Sequence, residues 1–174
     1  MNAVALVPGA FKPYHIGHDS LIRIAADEND TVHVYASTND RGNVSGKAMY
    51  IVWKTLIEPT LPGNVTVTYG GSPVGNVIKE LGEANERMST DTFTIYSDPI
   101  DLKNNFASIG KYAVGLVSNG QLYLKAIDRS ETIDVSGSEM RKYLTNGDKA
   151  SFVERIPESI GGEIVWNILR SSIK

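Results

Sequence analysis

The chain holds 174 residues, with 17 Lys+Arg, 20 Asp+Glu, three His, no Cys and a formal net charge of −3. That length gives one domain with a single sizeable core, and 41% hydrophobic with 21% charged residues excludes a disordered chain. The lack of cysteine removes disulfides, thiolate nucleophiles, iron–sulfur clusters and cysteine-bearing zinc sites. The mild acidity argues against non-specific nucleic-acid binding, which needs a clustered positive field.

Asn2–Val7 is a short, uniformly apolar run before Pro8-Gly9, which predicts a strand buried on both faces. Gly17–Glu28 spaces its apolar residues as a helix does, and Thr31–Ser37 is a β-branched and aromatic second strand. A polar loop, Thr38–Gly46, leads to a helix over Lys47–Glu58 that Pro59 and Pro62 stop. Asn64–Tyr69 alternates as a third strand. Ser72 then N-caps a helix that starts at Pro73 and runs to about Arg87. Phe93–Tyr96 is a fourth strand and Asp101–Ser108 a short helix. Tyr112–Val117 and Leu122–Ile127 flank Asn119-Gly120, a strong hairpin signal, and predict two paired strands. Ser136–Thr145 is a helix ended by Asn146-Gly147, and Pro157–Leu169 is a last helix.

Strands alternating with helices predict an α/β fold, a Rossmann-like, doubly wound parallel sheet. We expect a single domain over 1–174, with a core at 2–150 and a C-terminal helical segment at 151–174. No apolar run approaches the ~18–20 residues of a membrane span. The N-terminus lacks the basic region of a signal peptide. The expected compartment is therefore the cytoplasm, with no membrane partner.

In such a sheet the first βα turn is the usual ligand site. Here it reads Pro8-Gly9-Ala10-Phe11-Lys12-Pro13-Tyr14-His15-Ile16-Gly17-His18 and holds two of the three histidines. Gly9 permits a backbone path that a side chain would block, and Gly17 lets the loop pass close to the helix start. The helix N-terminus offers free N–H groups and a positive dipole end, both suited to phosphate. His15, His18 and Lys12 add donors around the same point. This is a phosphate-handling site without an evident nucleophile. A zinc site would need more ligands than this pair supplies, and His33, in mid-strand, reads as structural.

The stretch GAFKPYHIGH resembles the GxFxPxHxGH signature of the nucleotidyltransferase superfamily, with six fixed positions in ten. That superfamily includes nicotinamide-mononucleotide and phosphopantetheine adenylyltransferases and glycerol-3-phosphate cytidylyltransferases. HIGH also marks class I aminoacyl-tRNA synthetases. This chain is too short for a tRNA-binding body, is not basic, and places its nearest second motif, Arg87-Met88-Ser89-Thr90, too early. The superfamily's second signature, [IV]-S-[SG]-[ST]-x-[IVM]-R, is matched by Val135-Ser136-Gly137-Ser138-Glu139-Met140-Arg141. Ser136 or Ser138 can cap the helix there and leave N–H groups for an anion. The Arg141 fork can hold phosphate oxygens in a bidentate way.

The resemblance implies attack by an acceptor oxygen on the α-phosphorus of a nucleoside triphosphate, with release of pyrophosphate. It implies that His18 donates to the α-phosphate and that His15 orients the triphosphate. Lys12 would neutralise nearby charge, and Arg141 with the N–H groups near Ser138 would hold the β- and γ-phosphates. Gly9, Ala10, Phe11, Gly17, Ser136, Gly137 and Ser138 would frame the nucleotide. Arg41, Lys47, Asp98 and Arg129 stand where relatives place phosphate or acceptor contacts, although each reads equally well as a surface residue. Mg²⁺ would come with the triphosphate, bound through substrate and water rather than a protein cage.

ATP with nicotinamide mononucleotide is the favoured pair. A cytidylyltransferase making a CDP-linked alcohol, or a binding module without activity, remains an alternative, and a homo-oligomer is compatible with the resemblance. Two positions depart from the pattern. Ala10 replaces the Thr, Ser or Arg of many relatives, and Lys12 replaces their Asp or Gln, which favours a strongly anionic acceptor.

Overall fold

The structure is a computed structural model and describes residues 1–127 and 135–173. Five strands form one parallel sheet in the order β3-β2-β1-β4-β5: β1 Ala3–Gly9, β2 Thr31–Ala36, β3 Val65–Tyr69, β4 Thr92–Ser97 and β5 Leu122–Ala126. The chain winds outward from β1 through β2 to β3. It then crosses back to lay β4 on the other side of β1. The expected doubly wound, Rossmann-like α/β fold is therefore present.

The uniform apolar run of β1 has a packing reason. Ala5 and Val7 enter one core with Val32, Val34 and Ala36 of β2, while Val4 and Leu6 enter a second core with Phe93 and Ile95 of β4. The first core is closed by α1 (Ile16–Glu28), α2 (Gly46–Val52) and the C-terminal helices α6 (Gly137–Asn146), α7 (Lys149–Glu154) and α8 (Gly162–Ser171). The second is closed by α3 (Pro73–Glu86), by α4 (Pro99–Asp101) with its continuation Leu102–Phe106, and by α5 (Val114–Ser118). Residues facing opposite ways along one strand thus serve two layers.

Ser72 caps α3 from the Gly75 N–H, with Pro73 at the first helical position, as expected. The helix predicted over Lys47–Glu58 begins as α2, widens into a π turn at Trp53–Ile57 and tightens into a 3₁₀ turn at Glu58–Thr60. Trp53, at the start of the wide turn, is buried against Phe11 and Tyr14.

The predicted hairpin is absent. Tyr112–Val117 is not a strand: a 3₁₀ turn at Ile109–Tyr112 runs into α5. Asn119-Gly120 ends that helix. Gly120 takes φ +67°, its N–H donates to the Val117 carbonyl, and the Gln121 N–H donates to the Leu116 carbonyl. This is a glycine helix cap, and β5 then joins β4 in parallel, which no two-residue turn allows. The last helix also starts later than Pro157, at Gly162, and α7 was not anticipated. Gly147, at φ +72°, separates α6 from α7, as the Asn146-Gly147 signal implied. Among the described residues, no helix is long and apolar enough to cross a membrane.

Candidate active site

The carboxyl ends of β1 and β4 open into a cleft of about 510 Å³ at the point where the winding reverses. This is where α/β sheets bind ligands. Two segments far apart in sequence meet there: the β1–α1 turn, and the start of α6.

The turn is shaped by aromatic packing. Phe11, at φ +51°, folds its ring back over Gly9, where a Cβ would come within 2.7 Å of Phe11 Cζ. The ring then packs edge-on against Trp53 and His18, with centroids 5.4 and 4.8 Å apart. Tyr14 is buried beside it and donates its hydroxyl to Asp19 Oδ1 at 2.7 Å. Burial, with the Asp19 carboxylate next to it, holds that phenol well above its ordinary pKa.

His15 is the N-cap of α1. Its Nδ1 accepts from the N–H groups of Gly17 and His18 at 3.1 and 3.4 Å. His18 Nδ1 reaches back to the His15 N–H at 3.3 Å. The two rings stack with centroids 3.7 Å apart. This is a reciprocal capping box built from imidazoles in place of the usual Ser/Thr and Glu. A neutral imidazole whose Nδ1 accepts carries its proton on Nε2, and both residues line the cleft. Gly17 is obligatory beneath this pair, because a Cβ there would lie 2.9 Å from His15 Cε1.

Lys12 is 3% exposed and forms part of the cleft wall. Its Nζ donates to the Ala10 carbonyl at 3.1 Å and, in a shorter contact, to the Ser37 carbonyl. Burial, then the nearby Arg41 charge, bring its pKa down to about 8.

At α6, the capping residue is Ser136, whose hydroxyl accepts from the Glu139 N–H at 3.2 Å. Ser138 is instead a partner of Arg141, whose Nη2 donates to Ser138 Oγ at 3.2 Å while Nη1 donates to the Lys12 carbonyl at 2.8 Å. The guanidinium crosses Gly137 so closely that a Cβ there would sit 3.0 Å from Arg141 Nη1. Burial, then the Arg41 charge, lower the Arg141 pKa. Lys12, Arg41 and Arg141 are therefore like charges held around one cleft, beside two helix N-termini. That field suits a polyanion.

The remaining expected residues divide. Arg41 and Asp98 line the cleft, whereas Lys47 stays exposed on α2 and does not. Arg129 lies outside the described residues. Ser97, just before Asp98 at the end of β4, also lines the cleft, as do Ile100, Asp101 and Asn104, which sequence reasoning did not place there. The available signal was Asp98-Pro99 after β4. Asp98 caps α4 by accepting from the Asp101 N–H at 2.8 Å, and this turns the following residues onto the rim. Asp101 in turn accepts from the Ser97 hydroxyl at 2.7 Å. No group of three or more His, Asp or Glu side chains gathers into a metal cage among the described residues.

No protein-family model and no curated protein matches the sequence. Solved structures do match the fold. A protein from Vibrio parahaemolyticus provisionally assigned as a nicotinate-nucleotide adenylyltransferase aligns with a TM-score of 0.63 at 19% identity, over 95% of this chain and 99% of that one. A bifunctional NMN adenylyltransferase/ADP-ribose pyrophosphatase from Francisella tularensis aligns at 0.61 and 14% identity, over 98% of this chain and 49% of that one. It is also known complexed with AMP and a manganese ion. Thermotoga maritima TmcAL, bound with alpha-thio ATP, aligns at 0.58 and 11% identity, over 98% of this chain and 56% of that one. The chain thus spans about half the length of the last two. The fold is shared with nucleotidyltransferases of nicotinate and nicotinamide nucleotides.

Proposed function

We propose that this chain transfers a nucleotidyl group, AMP from ATP, to a small phosphorylated acceptor, with nicotinamide mononucleotide the leading candidate. The observation that carries this reading is the convergence of the α1 and α6 N-termini with Lys12, Arg41 and Arg141 on one cleft floored by the His15–His18 pair.

In the reaction, an oxygen of the acceptor phosphate forms a bond to the α-phosphorus. The bond from that phosphorus to the α–β bridging oxygen breaks, and its electron pair leaves with pyrophosphate. The nucleophile is already anionic, so the protein's task is to position and to stabilise charge. His18 Nε2–H donates to the α-phosphoryl oxygens as charge grows there. His15, buried as the cap of α1, fixes the turn and orients the ring of His18 stacked on it. Arg141 and the free N–H groups at the start of α6 hold the departing pyrophosphate. Lys12 and Arg41 raise the positive potential of the cleft. Gly9, Ala10, Phe11 and Gly17 form the wall against which the nucleotide lies, with Gly137 passing under its phosphates. The phosphate end offers cations and N–H donors rather than carboxylates, so Mg²⁺ would be carried by the triphosphate and would neutralise phosphate charge.

A pyrophosphate-release panel tests the proposal, with ATP and CTP each offered against phosphorylated acceptors. Release with ATP and nicotinamide mononucleotide supports it. Release with CTP alone makes the chain a cytidylyltransferase, and nucleotide binding with no release from any pair makes it a binding module.

A further inference from the structure

The side chain and the backbone of Lys12 are both committed to other segments. Its Nζ holds the Ala10 carbonyl, at the edge of the first turn, and the Ser37 carbonyl, at the root of the loop that follows β2. That loop carries Arg41 and is closed on itself by paired backbone bonds between Arg41 and Val44, at 3.0 Å each way. The Lys12 carbonyl accepts from Arg141 of α6. One residue thus ties together the first turn, the loop bearing Arg41 and the helix bearing Arg141. Among the described residues, no other Lys or Arg of the cleft is as deeply buried.

Resting on the function proposed above, we infer that Lys12 is a positioning residue: it sets the distance between the Arg41 loop and the histidine turn, and does not serve as a phosphate ligand. The ammonium commits two of its three donors to backbone carbonyls and the side chain is buried, which leaves little directional capacity for an oxyanion. Its removal would leave two carbonyls without a donor at the junction of β1 and β2. The loop bearing Arg41 would then lose its anchor, and Arg141 would keep a carbonyl partner that is no longer held in place. The loss would fall on alignment in the ternary complex rather than on affinity for the triphosphate.

The test compares Lys12→Met with Lys12→Gln, whose amide keeps N–H donors without charge. In Lys12→Met, kcat should fall about tenfold to a hundredfold, while ATP affinity stays within about threefold of wild type. Trypsin should cut after Arg41 faster than in wild type. Lys12→Gln should recover most of both properties. The inference is overturned if ATP affinity drops as far as kcat, or if Lys12→Gln is as impaired as Lys12→Met. Should Lys12→Met fail to fold, Lys12→Gln carries the same comparison against wild type. If wild type itself releases no pyrophosphate with any pair, the proposed function fails. Lys12 is then judged by ATP affinity and cleavage after Arg41 alone.

Discussion

His15 and His18 each accept the other's backbone N–H on Nδ1 while their rings stack 3.7 Å apart. The same atoms that start α1 thereby fix the direction of the proposed phosphate donor. Structure and chemistry separate by substitution. His18→Asn keeps a side-chain acceptor for the cap and loses the imidazole donor. Its melting temperature should stay near wild type while turnover falls about 10²–10³-fold. His15→Ala should cost both turnover and about 1 kcal/mol of stability through the lost cap. Thermal melts beside pyrophosphate release separate the two effects.

Gly137→Ala makes the same separation at the second motif. Alanine suits a helix better than glycine by about 1 kcal/mol, yet its Cβ would lie 3.0 Å from Arg141 Nη1 and push the guanidinium away. The variant should melt no lower than wild type and bind ATP about tenfold more weakly. Titration calorimetry would read the affinity, and unchanged affinity would mean that Arg141 does not hold phosphate.

Arg141→Lys keeps the charge but loses the fork. Lysine cannot serve the Lys12 carbonyl, Ser138 and a phosphate with the same planar geometry. We expect ATP affinity to fall about tenfold or more, with a smaller loss for Arg41→Lys, whose side chain is exposed. Competition binding with pyrophosphate should rank the two variants in the same order.

The segment after β4 brings Asp98 and Asp101 to the cleft. A distal carboxylate on the acceptor would meet that negative field, whereas an amide would not. Nicotinamide mononucleotide should therefore be used in preference to nicotinate mononucleotide, and Asp101→Asn should narrow the difference. The readout is the ratio of kcat/KM for the two acceptors.

Away from the cleft, His33 Nδ1 sits on Glu80, with one carboxylate contact at 3.0 Å, and Tyr35 donates to the same carboxylate at 2.8 Å. The hydrogen bond to Glu80 raises the His33 pKa above its ordinary value. A raised histidine stabilises the fold fully below the unfolded value of about 6.5 and loses that contribution as pH climbs through the folded value. Denaturant midpoints should fall across that window in wild type. In Glu80→Gln they should be flatter there.

The doubly wound fold was legible because β1 is apolar on both faces and strands alternate with helices, of which α3 and α6 carry their own caps. The first turn and α6 were legible because glycine, histidine and arginine occur at spacings that few other structures require. What was missed had ambiguous local chemistry. Asn119-Gly120 closes a hairpin and caps a helix with the same positive φ, and only the partner of β5 decides between them. Lys47 and Arg41 looked equivalent from their spacing. The Arg41–Val44 bridge turns one toward the cleft, and the first turn of α2 leaves the other outside. For Lys12 the sequence shows a charge in the turn but not that its ammonium is buried on two carbonyls.

The bond from Arg141 to the Lys12 carbonyl joins residues 129 positions apart. A contact of that span carries a large loop-closure cost and forms only after much of the intervening chain has been ordered. During refolding, the strands can assemble and the far-ultraviolet signal can recover before α6 docks on the first turn. Recovery of triphosphate binding should therefore lag recovery of secondary structure, so the cleft acts as its own clock for completion of the fold.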